Sequence, residues 1–339
     1  MNTLLIYHYE DNDGLFSAAI IYNYLITKQI KEKEEIVTLG ANYNTLKEFA
    51  SKNDVQDLKE KYDTIILTDI SFEASYMKKL YNEYGNHFIW FDHHAPIIKE
   101  SYIHDFNGVG VRNSEKSAIL CAFEYYYDPL NVNYNDKFVP ELFRILSGWD
   151  SWSFEREGYT NDYVKKINKA VTTIYRLDFD KIVKVVNHLI DYWERYHSVF
   201  DNEVDITKLY EYGNTIVEYE DATMEDIIKN VGDCSWKVRF EDEDRGRPLY
   251  HSACAIFHQG ASNSTMFKSL INKGIQHGLV FKHAPNSNWT MSMYNVDDNE
   301  GIHCGEFLKE RYGGGGHKGA AGCTFTQDQF IEILKKKEL

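Results

Sequence analysis

Short apolar runs alternate with amphipathic stretches through the first 150 residues, and their spacing predicts a sheet layered with helices. TLLIYH at 3–8 reads as a strand, and LFSAAIIYNYLIT at 15–27 as a helix rich in apolar positions. EEIVTLG (34–40), TIILTDIS (64–71) and HFIWFDHH (87–94) follow as strands, separated by polar helical segments such as LKEFASKN and EASYMKKLYNEYG. This rhythm argues for a parallel sheet covered by helices on both faces. Residues 114–127 and 139–149 read as helices, and 162–202 as a helical continuation. The pattern then changes, and WKVRF (236–240), ACAIFH (253–258), HGLVFKH (277–283) and NWTMSMYN (288–295) read as strands of a second domain. The expected fold class is α/β: a parallel-sheet N-terminal domain at 1–160, a mainly helical connector at 161–234, and a smaller mixed α/β domain at 235–339. No internal repeat or low-complexity tract interrupts this plan.

Composition narrows the class. With 43% hydrophobic and 26% charged residues in 339, the chain reads as a soluble globular protein. No run approaches the roughly 18–20 apolar residues of a membrane span, so no membrane partner is expected. The start, MNTLLIYHYEDNDG, reads as a first strand rather than a signal peptide. Five scattered cysteines form no CxxC pair, which argues against a thiolate zinc site or a disulfide framework and suits a reducing, cytoplasmic setting. The net charge of −15 is concentrated before residue 236: residues 236–339 carry 13 Lys+Arg against 12 Asp+Glu, and the remainder 24 against 40. Such a field repels a long polyanion unless bound divalent cations invert it locally.

Acidic and histidine residues recur where the candidate strands end. His8, Asp11 and Asp13 follow the first; Asp69 ends TIILTD; Asp92, His93 and His94 end HFIWFDHH; Asp150 follows the helix ELFRILSGW. In a parallel sheet these segments bring carboxylate and imidazole to one edge, where function sits in such folds. A lone strand-end Asp is usually a helix cap. Several ionisable groups gathered against an apolar core need something to pair them, and oxygen and imidazole donors suit Mn²⁺ or Mg²⁺ beside a phosphate.

FDHHAP at 91–96 resembles the Asp-His-His signature of the DHH phosphoesterase family; HYEDNDG resembles its first motif, TD at 68–69 its second and GWDSW at 148–152 its fourth. YGGGGHKGAAG at 312–322 resembles the glycine-rich loop of the DHH-associated second domain. The two halves together resemble the exonuclease and oligoribonuclease branch, with its RecJ-type exonucleases and NrnB-type nanoRNases. The resemblance implies two divalent cations, Mn²⁺ first and Mg²⁺ second. His8, Asp11 and Asp69 would hold one, and Asp13, Asp69, His93 and Asp150 the other, with Asp69 as the bridge. Asp69, His93 and His94 would be the catalytic side chains. Asp92 would orient a ligand imidazole, and His94 would face a substrate phosphate. In the second domain His317, with the amides of Gly314, Gly315 and Gly316, would bind a terminal phosphate, and Lys318 would add positive charge. Two positions depart from the branch. His8 lies three residues before Asp11 where two is common, with Glu10 read as an outward-facing carboxylate. Tyr294 stands where many relatives place a phosphate-pairing arginine, and could donate one hydrogen bond or stack on a base.

The function expected from this resemblance is hydrolysis of short RNA or DNA oligonucleotides to nucleoside 5′-monophosphates. A phosphodiesterase of cyclic or linear signalling dinucleotides, and a non-catalytic nucleic-acid-binding relative, stay open beside it, as does a homodimer. Ser117 is read as packing, and KKKEL as a frayed helix end.

Overall fold

A computed structural model describes residues 2–28, 30–94, 98, 108–127, 139–156, 158–196, 205–242, 247–259, 264–284, 288–297, 302–316 and 318–339. The chain divides into two compact units, 1–216 and 217–339. No helix among the described residues is long and apolar enough to cross a membrane.

In the first unit β1 (Thr3–His8), β2 (Ile36–Ala41), β3 (Thr64–Thr68) and β4 (Phe88–Phe91) form an all-parallel sheet in the order β2-β1-β3-β4. Successive side chains of a strand point to opposite faces, and here both faces are buried. Leu5 and Tyr7 enter one core, Leu4 and Ile6 the other; Ile66 faces the first, Ile65 and Leu67 the second. The second core is closed by α2 (Tyr43–Lys52), α3 (Val55–Lys61) and α4 (Ala74–Tyr84) through Leu46, Leu58 and Leu80. The first is closed by α1 (Asn12–Thr27), α5 (Ala118–Tyr127), α6 (Glu141–Asp150), α7 (Asn161–Tyr175) and α8 (Phe179–Tyr196). That arrangement explains the composition of α1. It is wrapped by sheet and helices, so Leu15, Phe16, Ala18, Ala19, Ile20 and Ile21 are all buried. At about 1.5–3 kcal/mol for each large side chain, α1 is the apolar keystone of the unit.

Two of the expected strands end early. Asp69 has φ 59°, in the left-handed region, which a strand cannot continue through. Asp69 and the Asp92-His93-His94 triplet therefore stand at or just past the carboxyl ends of β3 and β4, on the connections leaving the sheet.

The second unit holds a mixed sheet, β5 (Asp233–Asp242), β6 (Arg247–Phe257), β7 (His277–His283), β8 (Trp289–Asn295), β9 (Gly315–Gly316) and β10 (Ala320–Phe325), in the order β5-β6-β7-β8-β10-β9. Only β6 and β7 run parallel. The helix α9 (Ile206–Val231) leads into it, and α10 (Cys304–Tyr312) and α11 (Gln327–Lys336) pack on the face built around Trp236, Phe281 and Phe325. The chain end is not frayed. After α11, Lys337 turns left-handed at φ 50°, and the last residues lie along β5: Leu339 N donates to Lys237 O at 3.0 Å, and Arg239 N to Leu339 O at 2.8 Å. Leu339 is 3% exposed. Buried apolar contact and ladder hydrogen bonds hold a terminus that its lysines suggested was loose.

Candidate metal centre

The corner between β1 and α1 sets the first group of ligands. Asp11 caps α1, its carboxylate accepting from Gly14 N at 3.0 Å. The helix begins so close to the strand that a Cβ on Gly14 would lie 2.1 Å from the His8 carbonyl oxygen, so glycine is required there. This close turn brings His8 Nδ1 to 2.9 Å from Asp11 Oδ2 and 3.4 Å from Asp69 Oδ2. Asp13 is 2% exposed and caps a second helix, accepting from Ala118 N at 2.8 Å and Ile119 N at 2.9 Å at the start of α5. Asp11 and Asp13 are thus both helix caps, as a strand-end Asp usually is, and each also faces a histidine of the cluster. Thr68 of the second motif braces the same corner, its hydroxyl donating to Ser17 Oγ at 2.7 Å.

The second group centres on His93. Its Nε2 lies 2.8 Å from Asp150 Oδ2, 3.3 Å from Asp69 Oδ1 and 3.5 Å from Asp13 Oδ2. Asp150 is the last residue of α6, where the helix dipole disfavours a carboxylate. Its position is explained by what it faces, not by the helix. Asp92, fully buried, accepts from Trp90 Nε1 at 3.1 Å and from His94 N at 2.9 Å, and lies 2.8 Å from His94 Nδ1. The imidazole that Asp92 orients is therefore that of His94, whose Nδ1 is 3.9 Å from Asp69 Oδ1.

Three sets of donor atoms are each close enough to share an ion: His8, Asp11 and Asp69; Asp13, His93 and Asp150; and Asp69, His93 and His94. Asp69 stands between the first two, one oxygen toward His8 and the other toward His93. Several of these contacts are at ion-pair distance without hydrogen-bond geometry, and His8 Nδ1, both Asp69 oxygens and Asp150 Oδ2 are buried with no hydrogen-bond partner. Unsatisfied buried carboxylate oxygens are costly, so the oxygen-and-imidazole set fits a hard divalent cation.

The protonation states of the metal-free cluster show the same excess of negative charge. Burial opposes a charged His8, but the close carboxylates of Asp11 and Asp69 overcome it and push its pKa to about 11. Burial likewise opposes a charged His93, and Asp150 and Asp69 push it to about 12. For His94, Asp92 outweighs burial and raises the imidazole. Asp13 is driven well above the usual carboxylate range by burial and by Asp69 and Asp150, and Asp69 is raised by burial and by Asp11. Asp11 is lowered, its burial outweighed by His8.

The second unit treats its expected site residues differently. Gly313 closes α10 in the left-handed conformation, and Gly314 N donates to Leu308 O at 3.0 Å. A backbone amide carries one proton, so that of Gly314 is engaged in capping and is not offered to a phosphate. Gly315 and Gly316 form β9, exposed, paired with Gly322 and Ala321. Gly316 has φ 144°, and a Cβ on it would lie 2.6 Å from Ala320 O, so packing within this hairpin demands the glycine. Lys318 is exposed, its carbonyl accepting from Cys304 N at 3.0 Å. Tyr294 is 7% exposed and packs beside Phe267, ring centroids 6.2 Å apart, rather than standing open for stacking on a base. His317, Ala95 and Pro96 lie outside the described residues.

No family model matches the chain. The uncharacterized protein R106 of Acanthamoeba polyphaga mimivirus is 22% identical over 95% of this chain and 67% of its own length. Among solved structures, exonuclease RecJ bound to manganese superposes with a TM-score of 0.51 at 14% identity, covering 99% of this chain and 89% of that one. The chain has the RecJ fold. A pGpG-specific phosphodiesterase, PggH of Vibrio cholerae, matches at 0.46 and 14% identity over 99% of this chain and 97% of its own. The RecJ likeness agrees with the DHH-family resemblance of the motifs: a parallel sheet bearing the Asp-His-His segment, then a mixed sheet bearing the glycine run.

Other residues join this centre without a motif to announce them. Glu10 is exposed, yet Oε2 lies 3.5 Å from His8 Nε2, while Oε1 accepts from Asn42 Nδ2 at 3.0 Å. Asn42 caps α2 and so ties that helix to the first motif, bringing the Tyr43 ring to 6.3 Å from that of His8. Burial and the nearby Asp92, Asp69 and Asp11 raise the Tyr43 phenol, keeping it a neutral donor. Ser117, read as packing, is fully buried just before α5 with its hydroxyl unpartnered. The signal for Glu10 was its place beside His8; for Asn42 and Tyr43 the chain offered none.

Proposed function

We propose that this chain is a divalent-metal-dependent phosphodiesterase that hydrolyses short oligonucleotides to nucleoside 5′-monophosphates. The observation that carries the reading is the position of the Asp69 carboxylate, buried, without hydrogen-bond partners among the described residues, and within 3.4 Å of imidazoles from both ligand groups. His8, Asp11 and Asp69 would hold one ion and Asp13, Asp69, His93 and Asp150 a second. RecJ was solved with manganese, and the donor set suits Mn²⁺ or Mg²⁺. When bound, the ions supply Lewis acidity to the phosphoryl group and acidify water near neutral pH.

The side chains do the rest. Asp69, held at φ 59° by the bond from its N–H to Phe91 O at 2.9 Å, keeps the two ligand groups at a fixed separation. Asp13 and Asp11 are fixed by the helix amides they cap, so the ligands are preorganised. His94, with Nδ1 held by Asp92, presents its other nitrogen as a donor to a phosphoryl oxygen, stabilising charge that grows during attack. The acidic surface is compatible with short substrates, which need one phosphate anchored and not an extended basic groove. In the second unit, Gly315, Gly316, His317 and Lys318 would bind a terminal phosphate.

The test is a panel of 5′-phosphorylated RNA and DNA from two to twenty nucleotides, with cyclic dinucleotides alongside, in Mn²⁺ or Mg²⁺. Nucleoside 5′-monophosphates released fastest from the shortest strands are expected. Intact di- to pentanucleotides would sink the reading, and turnover confined to dinucleotides would replace it with the signalling one.

A further inference from the structure

Beside the ligand cluster, and wholly within the first unit, a cleft of about 480 Å³ opens between α2 and the connection from β3 into α4. This volume is in the range of small-molecule sites, about 300–1,000 Å³. Tyr43 stands where the cleft adjoins the cluster; Leu46, Phe72 and Tyr76 supply apolar and aromatic wall. Ser71, two residues after Asp69, lines it at 5% exposure and contributes a hydroxyl. The first turn of α4 also borders the cleft without a side-chain cap: Tyr76 N and Met77 N are met by Glu73 O, and Ala74 N and Ser75 N by no backbone carbonyl among the described residues. Lys47 at the rim is 3.6 Å from Glu73, so the cleft brings no surplus positive charge.

Aromatic and apolar walls, a few hydrogen-bonding groups and balanced charge suit a neutral heteroaromatic ring, not a phosphate. We propose that this cleft is a nucleobase subsite: it takes the base of the nucleotide whose phosphate lies at the carboxylate–imidazole cluster, with Tyr43 stacking on the ring and Ser71 hydrogen-bonding its edge. The proposal rests on the phosphodiesterase reading for its substrate class. Tyr43 and Ser71 are then residues that determine specificity, while the metal ligands determine rate.

The first experiment does not depend on turnover. Full-length protein with Mn²⁺ is irradiated with millimolar 5-iodouridine 5′-monophosphate, whose ring couples to an aromatic side chain stacked on it, and adducts are mapped by mass spectrometry. Adducts on Tyr43, Phe72 or Tyr76, falling severalfold in Tyr43→Ala, are expected; adducts elsewhere, or none, overturn the proposal. The second compares a dinucleotide with two analogues that each lack one base. In Tyr43→Ala the preference for the complete substrate over one analogue should narrow about tenfold, chiefly through KM, as expected for losing one base–aromatic stack. An unchanged preference overturns the subsite. If the wild type hydrolyses none of the three, the phosphodiesterase reading fails, and the cross-link decides the cleft by itself.

Discussion

Asp69→Asn separates the cost of the cluster from its use. In the metal-free protein the Asp69 carboxylate is 1% exposed, beside Asp11 and near Asp150, and burial with those like charges raises its pKa. A raised carboxylate pKa means that the ionised form is disfavoured in the folded state at neutral pH. The neutral isostere removes that cost, while His8 keeps Asp11 at 2.9 Å and His93 keeps Asp150 at 2.8 Å. Metal-free Asp69→Asn should therefore be at least as stable as wild type, by about 0–2 kcal/mol. With Mn²⁺ at a hundred times its Kd, wild type should gain about 2.7 kcal/mol. For a unit of 216 residues, that moves Tm by about 5–11 °C at roughly 2–4 °C per kcal/mol. The variant should lose most of this gain and at least about a hundredfold in kcat, since even residues behind the ligands cost 10–100-fold. Thermal melts with and without MnCl₂, run beside dinucleotide hydrolysis, read all three quantities. A full metal shift in the variant, or a metal-free variant several degrees below wild type, would refute the reasoning.

Three further outcomes follow from the geometry. Asp92→Asn should keep the metal-induced Tm shift but lower kcat about 10–100-fold, because it loosens His94 and touches no member of the two main ligand groups; loss of the shift would make Asp92 a ligand. Burial and the neighbouring His251 push buried His277 down to about 3. Below pH 6.5 the unfolded chain therefore takes up a proton that the folded one refuses, and stability falls with pH by up to about 1.4 kcal/mol per unit until the folded pKa is reached. Urea unfolding of the second unit between pH 4.5 and 7.5 should show that slope and lose it in His277→Gln. Leu339→Ala should cost the second unit about 2–3 kcal/mol in the same assay, whereas a frayed terminus predicts no change.

The periodicity of the chain marked the four strands of the first sheet and four of the six in the second, missing β9 and β10 in the glycine-rich stretch, because strands buried on both faces leave short apolar runs that helices do not imitate. TLLIYH, TIILT and FIWF were readable as strands for that reason. The side chains of the cluster were legible too, since carboxylates and imidazoles at strand ends in a parallel sheet must meet at one edge. Local backbone conformation was not. Asp69 leaves its strand through a left-handed turn, and no run of residue types announces that; the strand's last register position had to be settled by the hydrogen bond to Phe91. Partners distant in sequence were equally hidden. Asp13 caps a helix more than a hundred residues away, Asp92 serves His94 specifically, and Asn42 brings Tyr43 beside His8. The glycine run looked like an anion loop because glycine frees the backbone, but the same freedom serves a tight hairpin and a helix cap. The neighbouring carbonyls of Leu308 and Ala320 show the cap and hairpin contacts of Gly314 and Gly316, which composition did not reveal. Residue identity and spacing thus determined which groups could do chemistry, while tertiary contacts decided which faced one another, because hydrogen bonding and burial act through space and not along the chain.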